Sequence, residues 1–134
     1  MKKLFSTKYT PGAFNAALFL FRVVIGLLMM SHGYHKLTHF SEMQDKFMNF
    51  LGMGGTLSLA LVVFAEFFCA LFIILGLFTR LSTIPLIICM AVAFFKAHHA
   101  ELKDGELSLF FLAGFVLIAL VGPGKISVDG FSGK

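Results

Sequence analysis

Apolar residues gather in four long runs, at residues 13–31, 57–78, 81–97 and 107–122, with short polar segments between them. Each run is near the ~20 residues that cross a ~30 Å hydrocarbon layer, the last two at the short end. Backbone groups in lipid must bond within their own segment, so each run predicts a helix. Only Thr79-Arg80 separates the second run from the third, which makes those helices antiparallel neighbours.

The connection between the first two runs is long. Ser41-Glu42-Met43-Gln44 has the form of a capping box, and Phe40, Met43, Phe47 and Phe50 recur at spacings of three and four. This predicts a short amphipathic helix on the membrane surface, ending at Gly52. Gly122-Pro123-Gly124-Lys125 ends the fourth helix. The expected fold class is all-α: a membrane four-helix bundle with that surface helix between helices one and two, forming a single domain over residues 1–134.

Composition agrees. Of 134 residues, 58% are hydrophobic and 13% charged, and the mean hydropathy is +0.91. A globular domain carries roughly 25% charged residues, and a chain this short could not hide so much apolar surface from water. The net charge of +4 comes from residues at segment ends, with no basic stripe. That balance suits anionic lipid headgroups and argues against nucleic acid.

An even number of spans puts both termini on one side, with Lys2, Lys3, Lys8, Arg80, Lys125 and Lys134. Lys36, Lys46, Lys96 and Lys103 fall on the other side. Six against four predicts cytoplasmic termini in a multi-pass membrane protein. The first run follows three lysines, but it is longer than a signal-peptide core and no small-residue cleavage site follows, so a retained helix is expected.

Arg22 and Glu66 each lie about nine residues into their runs. Both are thereby placed near mid-membrane, where charges face inward and pair, and an Arg22–Glu66 contact is expected. The pair could lock two helices or form a polar site for a proton or a headgroup such as a quinone carbonyl. Gly26 and Gly33 follow Arg22 on one stripe, with Lys36 roughly aligned, and small residues there allow close helix approach.

All five histidines lie at the outer ends: His32, His35 and His39 after the first run, His98 and His99 after the third, where Glu106 opens the fourth helix. At least three of His32, Lys36, a histidine at 98 or 99, and Glu106 are expected to line one polar pocket continuous with the Arg22–Glu66 pair. No metal-ligand spacing is present, so no metal is expected. Cys69 and Cys89 lie in apolar runs without a CxxC motif and read as buried packing thiols.

These pieces resemble the DoxX family of small membrane proteins. His32-Gly33-Tyr34-His35-Lys36-Leu37 is similar to its G-x-x-K-L, and Gly76-Leu77-Phe78-Thr79-Arg80 after Glu66 to its G-L-x-T-R. Gly122-Pro123-Gly124-Lys125-Ile126-Ser127-Val128-Asp129 is similar to G-P-G-x-x-S-x-D. The resemblance implies a four-helix membrane bundle and a tie to redox metabolism, with Gly76 and Arg80 as packing residues beside Gly26 and Gly33.

The expected function is a redox-associated membrane subunit with a site for a quinone or small polar ligand formed by Arg22, His32, Lys36, Glu66, His98, His99 and Glu106. Catalytic residues are not assignable. If enzymatic, the chain would be a subunit of a quinone-linked oxidoreductase, its electrons supplied by a soluble or membrane partner protein. No covalently bound cofactor is expected, and a homo-oligomer is compatible. A membrane scaffold and a small transporter or proton path are the alternatives.

Overall fold

The structure, a computed structural model, describes residues 2–47, 52–97 and 102–133. Helix α1 covers Pro11–Thr38. It starts where the Thr10 hydroxyl accepts the Ala13 N–H and Pro11 takes the first helical position, which suits a residue without a donor. At 28 residues it is about 42 Å long, so its last turns pass beyond a ~30 Å hydrocarbon layer. Helix α2 is a single turn, Phe40–Met43. Helix α3 spans Gly55–Leu75, α4 spans Thr79–Lys96, and α5 spans Leu102–Val121. A last turn, α6, covers Val128–Phe131.

The all-α class therefore holds. Helices α1, α3 and α4 are long and apolar enough to cross a membrane, and α5 has a shorter apolar part, Gly105–Val121. Large apolar side chains such as Leu20, Leu27, Phe110 and Leu120 face outward. Hydrocarbon solvates such a surface, whereas water would not.

The described part of the 40–50 segment holds one helical turn, α2, and residues 48–50 lie outside the described residues. Ser41 is not its cap. His39 takes that position, with no side-chain capping bond, and Ser41 lies inside the turn. The loop then folds back, so that a Cβ at Gly55 would meet the Gln44 and Phe47 carbonyls.

The bundle is two helix pairs. α1 packs along the whole of α3, and α4 packs along α5. The stripe of small residues on α1 makes the first seam. A Cβ on Gly33 would come within 2.7 Å of the Glu66 carbonyl carbon and the Phe67 nitrogen, and one on Gly26 within 3.2 Å of the Ala70 oxygen. The pairs are joined at residues 76–78, where Gly76 is left-handed (φ 73°) and its missing Cβ leaves room for Ser127. From that turn α3 and α4 stay in contact through residues 64–75, but Gly55–Val63 makes little contact with α4. The two pairs thus splay toward the end opposite that turn. Ile25, Met29, Ile73, Leu86, Phe115 and Ile118 fill the core where they meet.

Candidate functional site

Two polar centres lie in this bundle, and the expected Arg22–Glu66 pair is not one of them. Arg22 is buried, 1% exposed, at the turn end. Its Nε donates to the Ile73 carbonyl (2.7 Å) and its Nη1 to Pro123 (2.6 Å), while Nη2 donates to Ile74 (3.2 Å) and Ile126 (2.9 Å). The guanidinium thus closes the C-terminal end of α3 and clasps the segment after α5. A planar fork with five donors suits this, and a helix C-terminus favours a cation.

The expectation failed on register. Gly33, not Arg22, packs at the level of Glu66. Arg22 lies eleven residues earlier on α1, about 16 Å along the axis. Counting depth from the start of each apolar run ignored the offset between the helices.

The same end is tied by Asp129 and Arg80. The Asp129 carboxylate accepts from the N–H groups of Phe78 (3.0 Å) and Thr79 (2.9 Å) and from the Thr79 hydroxyl (3.0 Å), capping α4. Arg80 donates to the Ala119 and Leu120 carbonyls at the end of α5. Gly76 and Arg80, expected as packing residues, both lie at this end of the bundle. Asp129 went unnoticed as a cap because its partners are fifty residues away.

Glu66 belongs to the second centre. It lies in a π-helical turn, Phe64–Cys69, within α3, and α4 ends in another, Ala93–Ala97. Such turns are rare and recur at functional sites. Lys36 Nζ lies 2.7 Å from both Glu66 oxygens, with the carboxylate side chain 3% and the lysine 23% exposed. The Cys89 thiol donates to Glu66 Oε2 at 3.7 Å. Cys89 is therefore more than the packing thiol expected. A signal was available: residues 66 and 89 are equidistant from the 77–78 turn, so antiparallel neighbours bring them level.

These groups sit at the edge of a cavity of about 550 Å³ between the splayed pairs. Its walls are mostly apolar, with Met29, Ala65, Met90 and Phe111 among them; His32, Lys36, Glu66 and Cys89 supply polar atoms. The His32 ring meets Phe111 edge-on, centroids 5.9 Å apart. The Lys36 ammonium has three N–H groups, of which two suffice for the Glu66 oxygens.

Of the residues expected at the outer mouth, His32 and Lys36 line this cavity. Glu106 is exposed on the second turn of α5 and is not among the lining residues, and His98 and His99 lie outside the described residues. The cavity is separate from Arg22. Among the described residues no cluster of three metal-ligating side chains occurs.

Fold and cavity together define a small helical integral membrane protein with a mostly apolar cavity and an ion pair at its edge. The chain belongs to the DoxX family: the DoxX family model matches residues 17–99, which include Arg22, Lys36, Glu66 and Cys89. It is 32% identical over 117 residues to the inner membrane protein YqjF of Escherichia coli (strain K12), covering 81% of this chain and 85% of that protein. No solved structure matches it.

Proposed function

We propose that this protein binds a quinone-type molecule in the cavity, its carbonyl at Lys36 and its ring among the apolar walls, as a membrane subunit of redox metabolism. The observation that carries this reading is the Lys36–Glu66 pair, its carboxylate buried and its lysine partly exposed, at the edge of a mostly apolar space of about 550 Å³. Small-molecule sites are commonly apolar pockets of roughly 300–1,000 Å³ with a few placed polar groups. A lysine already held by a carboxylate is oriented, and its remaining N–H offers a bond to an acceptor oxygen at little ordering cost. Cys89 adds a weak donor beside it. Electrons would come from a partner protein, since no cofactor motif was found in the chain. In this reading the chain crosses the membrane four times, with both termini cytoplasmic. The inner-membrane name of its relative and the lysine distribution support placement in a bacterial inner membrane.

The test is equilibrium binding of a short-chain benzoquinone to the purified protein in lipid nanodiscs. Lys36→Met should weaken binding about tenfold, or ~1.4 kcal/mol. Equal affinity in the variant removes the carbonyl site and moves the reading to a membrane scaffold.

A further inference from the structure

The geometry points to a lateral portal: the cavity's occupant enters from the hydrocarbon layer between α3 and α4, and carries an apolar tail that stays in that gap. This deepens the proposed function and rests on the reading of the cavity as a ligand site.

Five apolar lining residues are themselves well exposed: Leu61 at 47% and Phe64 at 48% on α3, Ile84 and Ile88 at 52% on α4, and Leu107 at 54% in the second turn of α5. A residue that both lines a cavity and faces outward stands at its rim. The first four belong to α3 and α4, which stay in contact from the turn to residue 64 and separate beyond it. Phe64 is the tenth of 21 residues in α3, and Ile88 the tenth of 18 in α4. At 1.5 Å per residue, each lies about 14 Å from the start of its helix, well inside a ~30 Å hydrocarbon layer. The rim therefore faces acyl chains.

The gap has a backbone cause. Pro85, which lines the cavity, has no N–H for the carbonyl one turn earlier, so α4 lacks a rung beside the opening. The π-helical turn at Phe64–Cys69 alters α3 at the same place. The side between α1 and α5 is different, because the His32–Phe111 ring contact stands across it.

An occupant that reached the cavity from water would need no tail. One that arrives through an apolar rim at mid-membrane must first dissolve in lipid. With its polar ring at Lys36, its remaining length points back through Leu61, Phe64, Ile84 and Ile88. The ligand class is thus a lipid-soluble ring compound with an alkyl or isoprenoid chain.

The experiment uses the full chain in lipid nanodiscs with two probes, a decyl-tailed benzoquinone and the same ring without the tail. Leu61→Trp and Ile88→Trp narrow the rim without touching Lys36 or Glu66. Tailed-probe binding should fall at least tenfold in both, and by a larger factor than tail-less binding falls. Unchanged tailed-probe binding in both variants overturns the portal. Because tryptophan could also fill the cavity, a tailed probe with a photoreactive diazirine on its chain is used on the unaltered protein. Labelling of α3 and α4 near Phe64 and Ile88 supports the portal even if both variants lose both probes. Labelling of the loop at Phe47 or of Leu107 shows access from the outer surface and overturns it. If the unaltered protein binds neither probe, the ligand-site reading itself falls and the portal with it; if it binds the ring but labels elsewhere, only the portal falls.

Discussion

Lys36 on α1 holds both carboxylate oxygens of Glu66 on α3 at 2.7 Å, across the seam that Gly33 makes possible. Removing either partner of such a pair should be worse than removing both. Lys36→Met strands a buried carboxylate, and a loss of about 3 kcal/mol is expected. Glu66→Gln should cost less, since a partly exposed lysine can extend its ammonium toward the interface. The double variant should be less destabilised than the two singles added. Unfolding by denaturing detergent titrated against mild micelles measures all three. Strict additivity would show that the contact contributes no coupling.

Arg22 should tolerate no cationic substitute. One ammonium cannot span four carbonyls contributed by α3 and the segment after α5. Arg22→Lys is expected to lose about 3 kcal/mol, from at least two charge-assisted bonds. Limited proteolysis should then cut within residues 122–133 of the variant and not of the parent protein. Parent-like protection in the variant would show that the clasp does not hold this segment.

The cap on α4 can be graded. Asp129→Ala removes the acceptor of two backbone N–H groups and a hydroxyl, a loss of about 2 kcal/mol. Thr79→Val removes only the hydroxyl bond and should cost about 1 kcal/mol. Thermal unfolding in detergent should rank them in that order; the reverse order would deny the carboxylate its capping role.

The orientation of the chain predicts which cysteines react from outside. With Cys69 and Cys89 replaced by Ala, a membrane-impermeant maleimide should label Lys103→Cys in intact cells and leave Ser6→Cys unlabelled until the membrane is opened. The opposite pattern reverses the topology.

The helices were legible because lipid leaves the backbone few alternatives. The Gly26–Gly33 seam was legible because small residues on one stripe have a direct steric meaning. Pairing across the bundle was harder. Glu66 and Cys89 flank a tight turn, so their common depth follows from counting. Glu66 and Lys36 flank a long loop whose length says nothing about register. The partners of Arg22 are backbone carbonyls, which every residue carries, so no side-chain pattern marks them. The π-helical turns that bound the cavity are changes in hydrogen-bond spacing, and ordinary apolar residues fill them. The fold was therefore readable ahead of the site, and the cavity became visible only with the splay of the two pairs.

The clasp on Arg22 also sets an order of assembly. Two of its four acceptors, Pro123 and Ile126, are about a hundred residues downstream. While the first helices enter the membrane during synthesis, that guanidinium has at most the α3 carbonyls to bond. Its full complement arrives with the closing segment, which also carries the Asp129 cap for α4. Residues made about a hundred positions later thus complete the bonding of a charge in α1, and the bundle locks only when that segment has been delivered.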